Sequence, residues 1–470
     1  MRALLHQRQK RNGFLYSDLY LWLLTATVVC AWHFGQVILG FITLALTFCL
    51  VMFLHDDATP ALPILIIFSF IIPIEAVEKP IEFISQNFVF LLLLIGLLVA
   101  SVIVFFISNR RRFTVGKQFI GLIVGAVAFL CSGLLYDLEV WTKSIPYVAI
   151  FIFVVFFVYL LCINGISRDL PKQYFAKIFM HVGIVMATET ILFYVFAGEN
   201  FETLVSTKAL KLGWGVSNNV GDILLLTIPM TLYLLTRRNN SVINTVYYAL
   251  IFIVQLVTLV LTLSRGSMLI ALIGIPVCVV YACITARNKK RLFICLGAIL
   301  CVVVGLVVWQ WESVQILIGE YAIVGGDGAI QDSGRFDLYL KALEDFLKCP
   351  ITGLSPFHAN DPIGGVMNPF WYHCSPLQIL ANAGIFGIIG YVLHLFSVGR
   401  VLIVRRTNKI NRFILLAILM WLLHGLIDVN YNFMVQLIMF VVLLAFAEQG
   451  VPKNFKVFGR NGRNNKDRRK

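Results

Sequence analysis

Apolar blocks follow one another from residue 19 to residue 449. Most are about as long as the roughly 20 helical residues that cross a hydrocarbon core. A water-soluble core does not absorb that much continuous apolar helix. Of 470 residues, 59% are hydrophobic and 13% charged, with a mean hydropathy of +0.87, whereas soluble domains carry about 25% charged residues. The fold class that follows is all-α: a polytopic integral membrane helical bundle, with residues 1–470 forming a single membrane domain. Fourteen spans are expected, at 19–33, 36–54, 60–74, 87–107, 118–136, 145–163, 178–197, 220–235, 242–263, 267–285, 292–310, 377–398, 413–428 and 432–449. The N-terminal basic stretch and the apolar run after it resemble a signal peptide. No small-residue cleavage site follows, so the run reads as a first helix.

Charge gives this topology an internal check. With the N-terminus cytoplasmic, loops after even-numbered spans are cytoplasmic too, and Lys and Arg should gather there. The clusters Arg110-Arg111-Arg112, Arg168/Lys172/Lys177, Arg237-Arg238, Arg287/Lys289-Lys290-Arg291 and Arg400/Arg405-Arg406/Lys409/Arg412, and the tail 450–470, all do. The net charge of +14 is therefore topogenic: it faces membrane lipids, and no nucleic-acid partner is needed to explain it. No internal repeat stands out. The ten cysteines show no CxxC pair, and Cys30, Cys49, Cys131, Cys162, Cys278, Cys295 and Cys301 lie within apolar blocks. Cys349 and Cys374 share the long loop, where a bridge between them is open.

That loop, 311–376, is far longer than the other connections and by parity extracytoplasmic. Loops of this length without a fold of their own tend to be functional. Within it the pattern predicts a helix over 333–348, capped by Asp332 or Ser333. Its apolar stripe would be Phe336, Leu340, Leu343 and Leu347, with i,i+4 pairs Asp337/Lys341 and Glu344/Lys348. Such a helix is expected on the outer surface, over the mouth of a cavity.

Several residues can carry chemistry. Arg265 interrupts the apolar run 242–285 within a tight turn, Ser264-Arg265-Gly266. It is either a snorkelling arginine at a helix end or an anion site, since a guanidinium fork matches phosphate. Arg335 opens the loop helix, where a helix N-terminus adds its dipole; an ordinary solvated charge fits the position as well. His373, at the loop's re-entry, suits a general base or a structural hydrogen-bonding residue, and His358 is a weaker candidate of the same kind. His424 and Asp428, one turn apart, can share a helix face and pair, as catalytic groups or as a polar clasp. Glu189 and Asp222 sit in or beside spans with no obvious partner. The separations of His358, His373, His424 and Asp428 lack a local metal motif such as HExxH, so no metal and no cofactor is expected.

Three segments in this order resemble the O-antigen ligase/O-antigen polymerase superfamily of bacterial membrane glycosyltransferases. Leu261-Thr262-Leu263-Ser264-Arg265-Gly266-Ser267 is similar to its S-R-G/S turn. Gly334-Arg335-Phe336, followed by Pro350-Ile351-Thr352-Gly353-Leu354, is similar to its arginine-led helix and P-x-x-G-x-G exit. His373-Cys374-Ser375-Pro376-Leu377, continuing through Gly384 and Gly387, is similar to its H-N-x-x-L-x-x-L-x-x-x-G-x-x-G signature. Cys374 stands where the family has Asn, and Leu354-Ser355 departs at the second exit glycine. The resemblance implies a GT-C-like fold in the bacterial cytoplasmic membrane and an undecaprenyl-diphosphate-linked oligosaccharide as donor. It also implies an acceptor glycan (a lipid-linked repeat unit or a lipid A core) and polysaccharide-assembly proteins as partners. On that basis Arg265 and Arg335 would bind the diphosphate and His373 would be the base, with inversion and no metal. A lipid-linked oligosaccharide flippase or another secondary transporter is the alternative. Such transporters commonly show pseudo-symmetric halves, whereas this chain shows one dominant loop.

The charge parity makes a prediction. Reporter tags at Arg111, Lys289, Arg406 and the C-terminus should report cytoplasm, and a tag at Asn360 the exterior. A cytoplasmic signal from Asn360 would overturn the site assignment.

Overall fold

The computed structural model describes residues 13–72, 80–109, 113–167, 171–237, 240–321, 334–358, 362–363, 366–367, 370–406, 408–431 and 433–449. Arg111, Asp332, Ser333, Asn360 and the tail 450–470 lie outside them. The described chain is nearly all helical, as a bilayer demands, because backbone polar groups in hydrocarbon must pair within their own segment. The helices are α1 (Asp18–His33), α2 (Val37–Leu54), α3 (Leu62–Ile67), α4 (Pro80–Ser108), α5 (Gln118–Leu130), α6 (Leu138–Gly165), α7 (Lys172–Phe196), α8 (Phe201–Ser206) and α9 (Ser217–Leu235). They continue as α10 (Val242–Leu261), α11 (Arg265–Thr285), α12 (Lys289–Trp309), α13 (Trp311–Tyr321), α14 (Arg335–Lys348), α15 (Ser375–Arg405), α16 (Lys409–His424) and α17 (Met434–Glu448). Short polar residues set several starts: the side chains of Ser17, Asp137, Ser241, Ser264 and Asn288 accept backbone N–H bonds at the heads of α1, α6, α10, α11 and α12.

A helix occupies each of the fourteen expected segments. Among the described residues nine are long and apolar enough to cross a membrane. Five are shorter: α1, α5, α16, α17 and the piecewise stretch Thr59–Ile71. This last stretch strings α3 between two 3₁₀ turns and carries Pro60 and Pro63. Each proline removes a backbone donor, so the apolar run does not become one continuous helix.

Helix α9 lies at the centre, packed by α7, α10, α11 and α16. Its apolar window is 94% buried, against 17% for α11 and α12, which form the rim. A helix enclosed by protein can carry polar groups that lipid would reject, and α9 carries Asn218, Asn219, Asp222, Thr227 and Thr231.

Helix α15 is broken at Gly384, whose φ of 62° and ψ of −154° are non-helical. The segment 350–355 repairs the break. Ile385 N donates to Pro350 O at 2.8 Å and Phe386 N to Ile351 O at 3.3 Å, while Leu354 N donates to Ala381 O at 2.9 Å and Ser355 N to Asn382 O at 3.0 Å. Gly353, at φ 68°, faces Asn382 and Ala383 so closely that a Cβ would meet their backbone. At Gly384 a Cβ would come within 2.5 Å of Ile351 O. The glycines of the second and third sequence segments are thus two halves of one backbone interlock.

Helix α14 begins behind Gly334, in a left-handed conformation with no side-chain cap. Phe336, Leu340, Leu343 and Leu347 are exposed, forming the expected stripe. The ion pairs differ from expectation. Lys341 and Lys348 both turn to Asp345, at 3.2 and 2.5 Å, leaving Asp337 and Glu344 exposed. Asp345 is only 1% exposed, and a buried carboxylate needs compensating partners far more than a solvated one.

The interlock can be tested directly. Gly384→Ala should carry about 1–3 kcal/mol of backbone strain before any steric contact is counted. It and Gly353→Ala should lower the melting temperature of the solubilised protein sharply or abolish folding. Gly297, with open space around its Cβ position, provides the control: Gly297→Ala should be neutral or slightly stabilising. An unchanged melting temperature in Gly384→Ala would show that the break is dispensable.

Candidate functional site

The expected site residues converge at one end of the bundle, with different pairings from those spacing suggested. His373 stands on the link between the long loop and α15 with φ 51°, a left-handed conformation uncommon for a residue with a Cβ. Such strain persists only where the surroundings hold it. On one side Tyr372, wholly buried, donates its N–H to Gln378 Oε1 (2.9 Å) and its hydroxyl to Asp345 Oδ2 (2.7 Å). On the other, Ser375 N donates to Gly425 O (2.7 Å) and Ser375 Oγ donates to Asn430 Oδ1 (2.8 Å). Tyr339 of α14 donates to the His373 carbonyl at 3.4 Å.

The His373 ring pairs with Asp428: Nδ1 lies 3.0 Å from Oδ1. An ionised carboxylate only accepts, so Nδ1 donates this bond, which in the neutral ring leaves the lone pair on Nε2. Asp428 also accepts from Val429 N (2.8 Å) and from Asn218 Nδ2 of α9, so three donors orient it. The expected His424–Asp428 pair does not form. His424 instead places Nδ1 at 2.9 Å from Asp222 Oδ1 and Nε2 at 3.0 Å from Ser267 Oγ. The cause is the turn following α16. Asp428 N donates to His424 O at 2.9 Å, which closes the turn and directs the carboxylate toward the 371–375 link.

Arg335 donates from Nη1 to Ile427 O, which seats α14 on that same turn beside Asp428. Arg265 is the first residue of α11, half-buried, directly after the capping Ser264. The neighbouring Gly266 faces Ile427 and His424, at 3.0 and 3.4 Å from its Cβ position. Arg335 thus touches the 424–428 turn directly, and Arg265 adjoins Gly266, which packs on the same turn.

A cavity of about 510 Å³ lies against His373 and the 424–428 turn, and neither Arg265 nor Arg335 is among its lining residues. Its walls include His373, His424, Asp428, Asp222, Asn218 and Lys211, together with the aromatic rings of Trp214, Trp371 and Phe433. Trp371 stacks on Phe433 at 5.1 Å, and Trp214 donates to the buried Glu189 at 2.8 Å. Glu189 and Asp222 thus both have partners that sequence reasoning did not supply. Asn218 and Trp214 were missed outright, although Asn218 and Asp222 stand at i,i+4, a spacing that places both on one face of α9.

Residues 250–392 match the family model described as O-Antigen ligase. Over this segment the chain is similar to the O-antigen ligase family. No curated protein matches the chain. The matched residues hold Arg265, Arg335, His358 and His373, while Asn218, Asp222, His424 and Asp428 come from outside them. The likeness thus supplies the two arginines and the imidazole, and the flanking helices supply the groups that hold His373.

His358 belongs to another cluster. Its Nδ1 lies 2.8 Å from Ser355 O, its Nε2 lies 3.0 Å from Tyr372 Oη, and its ring stacks on Tyr372. Cys349 and Cys374 are both free thiols and buried. Among the described residues no group of three His, Cys, Asp or Glu side chains converges as a metal shell.

Asp345, Tyr372 and His358 tie the long loop to the strained link. Burial holds the His358 ring below its ordinary value near 6.5, against the opposing pull of Ser355 O and Asp345. For Asp345 burial acts upward, but hydrogen bonds from Lys348, Tyr372 and Lys341 outweigh it and hold the carboxyl below its ordinary value. Both depressed values mean that the unfolded chain binds more protons. The stability they contribute is complete above the ordinary values and is lost as pH falls through the depressed ones. Protection factors for hydrogen exchange in 334–358 and 370–374, taken relative to the intrinsic exchange rate at each pH, should therefore fall as pH is lowered from 7 toward 5, and His358→Gln should flatten that dependence. An equal pH response in His358→Gln would remove His358 as the cause.

Proposed function

We propose that the chain is a membrane glycosyltransferase. It moves an oligosaccharide from a polyprenyl-diphosphate carrier to an acceptor hydroxyl at the outer face of the bacterial cytoplasmic membrane. The observation that carries this reading is the His373–Asp428 pair on the cavity wall, with Arg335 seated on the same turn. An imidazole whose Nδ1 proton is held by a carboxylate presents Nε2 as a general base. The acceptor hydroxyl attacks the anomeric carbon and gives its proton to Nε2. The bond from that carbon to the diphosphate oxygen breaks, and configuration inverts.

The leaving diphosphate gains charge as this bond breaks. Arg265 and Arg335, at the heads of α11 and α14, are the groups suited to hold it, and preorganised donors aimed at developing charge contribute strongly to catalysis. Arg335 uses one donor on Ile427 O, and a guanidinium has five. In this reading the two guanidinium groups carry the charge stabilisation without a metal. Aromatic faces beside amide and carboxylate groups suit the apolar faces and hydroxyls of a sugar. Polymerase and ligase share this chemistry and differ in the acceptor, a lipid-linked repeat unit or a lipid A core.

Purified protein incubated with a defined diphosphate-linked repeat unit, with and without a lipid A core, tests the proposal. Lengthened lipid-linked product identifies a polymerase, and transfer to the core identifies a ligase. Arg265→Ala and Arg335→Ala should each abolish transfer in folded protein. Arg→Lys should rescue poorly, because an ammonium does not reproduce the fork. Wild-type transfer in either Ala variant would remove that arginine. Movement of donor across liposomes without any transfer would replace the enzyme by a flippase.

A further inference from the structure

The cavity wall holds a second His–Asp pair that the proposed chemistry does not use. Asp222 Oδ1 lies 2.9 Å from His424 Nδ1, His424 Nε2 lies 3.0 Å from Ser267 Oγ, and Ser267 Oγ lies 2.9 Å from Ser264 Oγ. All four residues are buried, at 2% exposure or less. The order of atoms is that of a Ser–His–Asp nucleophile, a role the surroundings deny. Ser267 is fully buried, is not among the cavity-lining residues, and packs so tightly under Gly221 that a Cβ there would overlap its hydroxyl.

The other end of the chain of contacts shows what it holds. Ser264 is the N-cap of α11, its hydroxyl accepting from Ser267 N at 3.3 Å. Leu263, just before it, has φ 56°, a conformation costly for a branched side chain. Arg265 is the next residue. A buried His–Asp contact is a poor source of stability compared with apolar packing, and ionisable groups within membrane helices are functional candidates by default.

We propose that Asp222 and His424 are positioning residues for Arg265. Acting through Ser267 and the Ser264 cap, they fix the first turn of α11 so that the guanidinium meets a diphosphate in one orientation. The inference rests on Arg265 being an anion ligand, as in the proposed function.

The test is binding of a polyprenyl diphosphate to full-length protein in nanodiscs, read as Kd for single and double variants. Asp222→Asn removes the carboxylate charge. Ser267→Ala leaves the Asp222–His424 pair intact and cuts only its link to α11, so it keeps the test available if Asp222→Asn folds poorly. Each should weaken binding roughly tenfold, the size of a lost hydrogen bond to a charged group. In an Arg265→Ala background neither should weaken it further, since coupled residues are non-additive. A merely structural role predicts the opposite: the same loss in both backgrounds, which would overturn the proposal. Wild-type Kd for Asp222→Asn and Ser267→Ala beside a weakened Arg265→Ala would also overturn it, while leaving the anion site standing. Wild-type Kd in Arg265→Ala itself would remove the anion site and this proposal together.

Discussion

A helix broken inside a membrane exposes backbone groups that no water is present to satisfy. The break at Gly384 is admissible because the segment 350–355 enters it and pairs the freed groups on both sides. This has a geometric consequence. The long loop is sewn to α15 nine residues below its start, so the loop must approach the bundle where α15 begins. The glycines at 353 and 384 are what allow two backbones to meet so closely.

The site follows from that constraint. Once 350–355 is fixed, α14 on one side and the 371–375 link on the other have little freedom. Asp345 on α14 grips Tyr372, and Ser375 is tied to Gly425 and Asn430. His373 between them adopts a strained backbone that presents its ring to Asp428. Arg335 reaches the same turn from α14. Residues separated by up to 210 positions, such as Asn218 and Asp428, thus act on one turn of chain. A rigid buried polar network of this kind is suited to holding catalytic groups, because every member is fixed by another.

Much of the architecture was legible in the sequence because hydrocarbon leaves few options: long apolar blocks must be helices. Length was less legible, since Pro60 and Pro63 divide a run that hydropathy alone reads as continuous. The positions of Arg265, Arg335 and His373 were readable from local pattern, and the matched family segment contains all three. Pairings were not readable. Spacing placed His424 with Asp428 and Lys341 with Asp337, but the turn after α16 carries Asp428 to His373 and the enclosed Asp345 draws Lys341. His424 is left to the buried Asp222, and Lys348 joins Lys341 on Asp345. Partners drawn from distant helices, such as Asn218 on Asp428 and Trp214 on Glu189, leave no local spacing signal.

In the proposed reaction His373, oriented by Asp428, accepts the acceptor's proton while the arginines hold the donor. The most direct measurement is sugar transfer and donor affinity on the same preparation of His373→Gln, with His394→Ala as a control at a buried imidazole elsewhere. Glutamine keeps hydrogen bonding but does not accept a proton productively. Transfer should fall by roughly the 10²–10⁴-fold typical of general acid–base catalysis, with donor affinity unchanged and the control much milder. Near-normal transfer by His373→Gln would contradict it.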